Sequence, residues 1–297
     1  MIFNKFFILF KIGRKIGKSN IINIVSETHK IPVFIKIFFN LLAFSFSSSK
    51  DTKSKENLSA SIQEMGTTFI KLGQFLATRP DIIGEKLSKE LVSLQDKLPP
   101  FSKKEAEKII IENLGQSNFD DIIDLSDPIA AASIAQVHKA KIKEDNTIKN
   151  VAIKVLRPNI KKIFNEEIDA IMLLAYIVES LITKTKRLKL IEVVFLFKEI
   201  TNHEMDLRFE AAAANEYAEN TKNDLGFFVP KIYWNFTSES VLTLDWVDGV
   251  SIREKDLLKE RNIETSKIAT NLIQHFLRHA VRDGFFHADM HQGNIFI

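Results

Sequence analysis

The sequence predicts an α+β fold, and two observations carry that expectation. Apolar residues recur at helical spacing through long stretches, and two pairs of short strand-like runs, each closed around a polar turn, interrupt them. The 297 residues leave room for about two domains. A hydrophobic share of 45% and a charged share of 27% are those of an ordinary folded chain. The net charge of +3 gives no argument for a nucleic-acid partner. The absence of cysteine excludes a disulfide framework, a cysteine zinc site and thiol catalysis.

The first segment interleaves Phe3, Phe6, Phe7, Leu9 and Phe10 with Lys5, Lys11, Arg14, Lys15 and Lys18. Its apolar core is too short for a secretory signal. The run Ile31 to Phe46 is broken by Pro32, Lys36 and Asn40 and falls short of the ~20 residues a spanning helix needs. Such basic, Phe-rich sequence either lies in an anionic membrane interface or packs on the rest of the protein. Ser45 to Lys55 reads as a linker. From Asn57, Leu58, Ile62, Met65, Phe69, Leu72 and Leu76 predict one helix, stopped at Arg79-Pro80-Asp81. Glu85 to Lys97 makes another. Ser102-Lys103-Lys104-Glu105 is a capping box for a third, which Gly115 closes. Lys71 and Gln74 share a face of the first of these helices. Taken alone, such residues are ordinarily solvated.

The character changes at Pro128. A small-residue loop, Ala130-Ala131-Ala132-Ser133, leads into one strand, a polar turn at Glu144 to Thr147, and the strand Val151-Ala152-Ile153-Lys154. Val-Ala-Ile-Lys is the pattern of a strand whose Lys pairs with nucleotide phosphates. The loop before it stands where a glycine-rich phosphate cradle belongs, yet it has no Gly. Its alanine Cβ atoms disfavour φ > 0, so a stiffer and differently shaped cradle is expected.

After Arg157-Pro158 the pattern is helical to about Thr183, with Ile163, Ile168, Ile171, Leu174 and Val178 as its apolar face. A second long helix is expected from Leu190 to Thr221, carrying Glu204, Asp206 and Glu210. One helical Glu must hold Lys154, and spacing leaves Glu204 and Glu210 open. Phe228 to Phe236 and Val241 to Trp246 predict a second hairpin around Thr237 to Ser240. Asp245 to Gly249 then takes the place of an interlobe hinge, with Trp246 as core or pocket wall. A helix from Ser266 to Arg282 delivers the chain to its last segment.

That segment, Phe286-His287-Ala288-Asp289-Met290-His291-Gln292-Gly293-Asn294, has the layout of a kinase catalytic loop. In that layout the Asp orients or deprotonates the phosphoryl acceptor, and the Asn holds Mg²⁺.

Lys71-Leu72-Gly73-Gln74, Ala130 to Ser133, Val151 to Lys154, Glu204-Met205-Asp206 and His287 to Asn294 occur in one order. Together with Leu94-Gln95-Asp96-Lys97 and Ser133 to His138 they make the chain resemble the UbiB family of atypical kinase-like proteins. The resemblance runs from about Asn57 to the last residue. It implies a kinase-like fold in four parts. Residues 1–56 form a basic segment and linker, 57–125 a helical extension, 126–246 an N-lobe sheet with a long helical insertion, and 247–297 the hinge and the start of the C-lobe.

By the same resemblance the ligands are ATP or ADP with Mg²⁺. Lys71 and Gln74 belong to an extension closing over the site, and Glu204 and Asp206 meet it there. Glu210 pairs with Lys154, the Ala130, Ala131, Ala132 and Ser133 loop covers the phosphates, Asp289 is the catalytic carboxylate and Asn294 a metal ligand. The implied work is that of an ATPase or phosphotransferase in ubiquinone biosynthesis. Its setting is the cytoplasmic face of the inner membrane, with lipid precursors and other ubiquinone-biosynthesis proteins as partners. The chain stops three residues past Asn294, before the second metal-binding Asp that the fold needs. A longer protein or a truncated gene product is therefore expected. The alternative function is a non-catalytic nucleotide- or lipid-binding scaffold, or an inactive fragment.

Overall fold

The computed structural model describes residues 2–18, 21, 58–92, 94, 98–181, 183–288, 290 and 295–297. The expected linker at Ser45 to Lys55, the Ile31 to Phe46 run and Gln95 to Lys97 lie outside them. The chain forms two units: residues 1–100, 131–135 and 156–205 make the first, and 101–130, 136–155 and 206–297 the second.

The first unit is helical. Helix α1 (Ile2–Lys18) packs through Ile12 against Met65, Phe69 and Ala170. That outcome is the packing alternative for the N-terminal segment, although Phe6, Phe7 and Phe10 stay about half exposed. The single helix expected from Asn57 is two, α2 (Leu58–Met65) and α3 (Thr67–Ala77). Gly66 between them has φ 102°, a conformation that a helix cannot continue. The short α4 (Pro80–Ile83) begins on Pro80, whose missing N–H costs nothing at a helix start. Helix α5 (Glu85–Val92) follows, burying Leu87 and Leu91 beside Leu58.

Helix α6 (Lys103–Leu114) starts the second unit with the expected capping box. The Ser102 hydroxyl accepts the Glu105 N–H, and the Glu105 carboxylate accepts the Ser102 N–H. After α7 (Gln116–Asp120) come β1 (Ile122–Ile123), β2 (Pro128–Ala131), β3 (Ala135–Glu144) and β4 (Thr147–Leu156). Asp145 and Asn146 close the β3–β4 hairpin with positive φ, as residues that tolerate the left-handed region. The sheet order is β1-β3-β4-β5, with β2 also on β3 and β5 spanning Val241–Asp245. Val151, Ile153 and Val155 of β4 enter a core with Ala106, Ile110, Tyr233 and Phe236. The two-residue period of a strand turns Lys154 to the opposite face.

Between the sheet strands the chain runs through α8 (Ile160–Leu181), a 3₁₀ turn (Thr183–Leu188) and α9 (Leu190–Glu204) of the first unit. The buried stripe of α8 is Ile160, Phe164, Ile168, Ala170 and Ala175. Ile163 and Leu174, expected inside, are exposed. The second unit resumes with α10 (Leu207–Thr221). The expected Leu190–Thr221 helix is thus broken at Asp206, whose extended backbone and capping side chain start α10 anew. The second hairpin is also only partly regular. Ile232 bridges Leu244, but Trp234–Phe236 curl into a 3₁₀ turn before β5. Helices α11 (Lys255–Glu260) and α12 (Thr265–Arg278) complete the unit, and α12 runs into a π turn, His279–Asp283, ending on left-handed Gly284.

Candidate functional site

Lys154 lies near the end of β4, paired across the ladder with Leu242 of β5. Its ammonium donates to both oxygens of Glu210, at 2.9 and 2.7 Å. The choice that spacing left open therefore falls to Glu210. Glu210 sits in the first turn of α10, where a carboxylate is favoured by the helix dipole. The pair is partly open to solvent, with Lys154 26% and Glu210 49% exposed, so its charge is accessible to an incoming anion.

Glu204 has a different partner. Lys71 of α3 meets it at 2.9 Å within the first unit, with Lys71 only 15% exposed. Lys71 is therefore not the freely solvated lysine that helix spacing alone suggests. Gln74 lies one turn further along α3 and is half-buried. The Asp206 carboxylate caps α10 through the Arg208 N–H and receives the Arg208 guanidinium at 2.9 and 2.7 Å.

Ala130 and Ala131 end β2, and Ala132 and Ser133 make the tight connection to β3. Ala132 N–H donates to Ala135 O at 2.8 Å. None of the four residues adopts positive φ, in keeping with the steric cost of alanine Cβ atoms there. The turn is held by two residues that the sequence did not single out. Arg157 donates to Ala132 O through Nε and Nη2 at 3.1 and 2.8 Å, and through the same guanidinium to Pro99 O and Leu98 O. Thr67 Oγ1 donates to Ser133 O at 3.1 Å. The only signal for Arg157 was its place before Pro158, which marks a strand end without showing what the side chain reaches.

The hinge segment keeps Trp246 half-buried, neither core nor enclosed wall. Its Nε1 donates to Asp248 at 2.6 Å, and the Lys139 ammonium stands 4.3 Å from its ring centroid. Beyond the hinge, Val250 and Ile297 exchange backbone hydrogen bonds, and Ser251 bridges Phe296. A Cβ on Gly249 would stand 2.8 Å from that of Phe296, so glycine lets these segments approach. Asp289 and Asn294 lie outside the described residues. The segments on either side, through Ala288 and from Ile295, are held by the second unit.

A further cluster was not foreseen. His279, fully buried, lies between the Tyr217 hydroxyl at 2.8 Å and Asp224 at 3.0 Å. Arg282 grips Asp224 with two bonds of 2.8 and 2.9 Å and Asp283 with two of 2.6 and 2.7 Å. The Arg282 bonds, then the His279 bond, hold the Asp224 carboxyl far below the usual carboxylate range, against the opposing effect of burial. The sequence offered only a histidine spacing on α12, His275 to His279, which is common on amphipathic helices.

The comparisons with known proteins agree with this architecture. Residues 93–297 match the ABC1 atypical kinase-like domain. The chain is 34% identical over 269 residues to a probable protein kinase UbiB of Marinobacter nauticus, covering 90% of this chain and 49% of that relative. It is 35% identical over 246 residues to a protein of the same name from Azotobacter vinelandii, covering 81% and 44%. The chain thus spans about half the length of the curated relatives it matches. Among solved structures, Rv3197 of Mycobacterium tuberculosis, determined with erythromycin, matches with a TM-score of 0.50 and 24% identity. That match covers 82% of this chain and 64% of the other. The α+β, atypical kinase-like fold expected from the sequence is the fold observed.

Proposed function

From the premise that this chain belongs to the ABC1 atypical kinase-like family, we propose that it binds ATP or ADP with Mg²⁺ and acts as an ATPase or phosphotransferase supporting ubiquinone biosynthesis at a membrane. The observation that carries the reading is the Lys154–Glu210 pair. A strand lysine held by a helix carboxylate is aimed at a fixed point while its remaining donor capacity is kept for phosphate oxygens. The Ala130 to Ser133 turn covers the phosphates, and Arg157 and Thr67 keep its shape. Asp289 orients the attacking oxygen and accepts its proton. Asn294 supplies an oxygen ligand suited to Mg²⁺, which when bound neutralises charge on the phosphates. Lys71, Gln74, Glu204 and Asp206 belong to the elements that close the nucleotide site and restrict access to large acceptors.

The membrane part of the reading is supported by α1, where Phe6, Phe7 and Phe10 are exposed and Lys11 stands 4.6 Å from the Phe7 ring. No helix among the described residues is long and apolar enough to cross a bilayer. A place at the cytoplasmic face of the inner membrane, beside lipid precursors and other ubiquinone-biosynthesis proteins, belongs to this reading.

The test is Mg²⁺-dependent ATP hydrolysis by the complete gene product beside Asp289→Asn. Loss of a proton-accepting carboxylate lowers turnover by about 10²- to 10⁴-fold while nucleotide binding persists. Hydrolysis indifferent to that change overturns the catalytic assignment. Nucleotide binding without hydrolysis by the unaltered protein establishes the scaffold reading instead.

A further inference from the structure

The first unit holds a cavity that the nucleotide chemistry proposed above does not use. It measures about 430 Å³ and lies where the chain enters α4 and where the turn after α8 enters α9. Its polar lining is Arg79, Asp81, Arg187, Lys189 and Glu192, and Leu188 and Val193 supply apolar wall.

The three cations are not equally engaged. Asp81 takes Arg79 in two bonds of 2.9 and 2.7 Å, which fixes the direction of the guanidinium. Lys189 reaches Glu192 at 3.0 and 2.9 Å from a left-handed backbone, φ 50°, that a residue with a Cβ adopts only at a cost. Arg187 is exposed and has no hydrogen-bond or ion-pair partner among the described residues. Three cations against two carboxylates leave an excess positive charge, and it resides on Arg187. One guanidinium without an anion, beside a second held in place, suits a phosphate taken by paired N–H bonds.

The surroundings indicate the source of that phosphate. Helices α8 and α9 run antiparallel, with Lys198 on Asp169 and the Ile191 N–H on Glu179, both at 3.2 Å. Near the turn that joins them, Leu181, Phe195 and Leu196 are apolar yet exposed, and Leu196 is itself part of the cavity wall. Helix α1 runs antiparallel to α8, since Lys15 meets Glu167 while Ile12 packs with Ala170. That register carries the exposed Phe6, Phe7 and Phe10 toward the same end of the unit, Phe6 about 9 Å beyond Ile12. A site for a soluble phosphate ester gains nothing from exposed Phe and Leu around it. A phosphate at a bilayer surface has acyl chains beside it for those side chains to meet.

We propose that this cavity receives the phosphate of an anionic phospholipid, gripped by Arg187 and Arg79, while Leu181, Phe195 and Leu196 enter the acyl boundary. The inference rests on the membrane reading given above and names the surface and the lipid group that serve it.

The test is co-sedimentation of the complete gene product with phosphatidylcholine vesicles, with and without added phosphatidylglycerol. The unaltered protein prefers the anionic vesicles, and Arg187→Gln lowers that affinity at least about tenfold, the loss of a charge-assisted bond. Arg187→Lys, which keeps the charge but not the fork, falls between the two. Lys186→Gln removes a neighbouring exposed charge outside the cavity and costs no more than about fivefold, the effect of one surface charge. MgATP hydrolysis in detergent and the thermal midpoint stay unchanged in Arg187→Gln. Equal losses in Lys186→Gln and Arg187→Gln reveal a diffuse basic surface and overturn the proposal. Binding of inorganic phosphate without vesicles, abolished by Arg187→Gln while vesicle binding persists, overturns it in favour of a soluble anion. Self-association of the lipid-free protein that Phe195→Ser abolishes gives the apolar rim to a second copy and overturns it as well. The two readings fail distinguishably. An unaltered protein that binds neither vesicle sinks both, whereas anionic-vesicle binding left intact by Arg187→Gln sinks this proposal alone.

Discussion

Replacing Glu210 with Gln separates what the Lys154 clamp does for stability from what it does for function. The pair is 2.7 Å long but half open to water, with Glu210 49% exposed and Lys154 26%. Ion pairs so exposed contribute about 0.2–1 kcal/mol, and a glutamine of the same shape keeps part of the contact. A loss of that size moves a melting midpoint by no more than about 2–4 °C in a chain of this order of length. The functional cost is larger. Without its carboxylate the Lys154 ammonium loses its fixed direction, and a charge-assisted bond to phosphate worth about 1.5–3 kcal/mol is weakened or lost. Free energies in that range correspond to about 10- to 150-fold in affinity for MgATP or MgADP. The measurements are thermal unfolding without ligand and nucleotide affinity by titration calorimetry, on Glu210→Gln, Lys154→Met and the double variant. The double variant is expected to bind no worse than the weaker single variant, because the two residues act as one unit. Two results would refute the reasoning. One is nucleotide affinity unchanged in Glu210→Gln. The other is destabilisation as large as that of a core substitution.

Two further outcomes follow from the second unit. Gly249→Ala places a Cβ 2.8 Å from that of Phe296 and 3.4 Å from the Ile297 backbone, so overpacking costs about 1–3 kcal/mol, and an unaltered urea midpoint would count against the packing described. His138 is held neutral in the fold, its pKa lowered first by burial, with Nδ1 on Ser126 O and Nε2 on the Gln136 amide. Below the unfolded histidine value of about 6.5 the unfolded chain binds the extra proton, so this stability is present above it and lost as pH falls. His275 shifts in the same direction, also through burial. The thermal midpoint is therefore expected to drop between about pH 7 and pH 5, with a shallower drop in His138→Gln.

What the sequence made legible was local chemistry. The Ser102 to Glu105 capping box and the polar turn at Asp145-Asn146 have single-segment causes, and both are observed where expected. The breaks at Gly66 and Asp206 were missed because apolar residues keep helical spacing straight through them. Met65 and Phe69 are both buried on either side of Gly66, and Met205 and Leu207 flank Asp206 in the same way. A periodicity argument cannot see a break that preserves the buried face. The stripe of α8 failed for another reason. Ala170 and Ala175 are buried where larger residues were expected, and Ile163 and Leu174 are not, because close helix packing selects small side chains.

The same distinction governs the site. Lys154 was readable because strand alternation and a four-residue pattern fix its face, but spacing left its partner open between Glu204 and Glu210, and only the family resemblance pointed to Glu210. Arg157 was not readable, since its function is written in carbonyl oxygens, and any residue supplies those. Its guanidinium gathers Leu98 O, Pro99 O and Ala132 O, so the shape of the alanine turn depends on a side chain 25 residues downstream. A glycine-rich cradle obtains its shape from φ > 0 and remains pliable. Here the turn stays in ordinary backbone regions, and carbonyls bound to Arg157 and Thr67 supply the rigidity. The Ala132 N–H is committed to Ala135 O, so the turn is held from its amide side as well as its carbonyl side, and its rigidity does not depend on glycine.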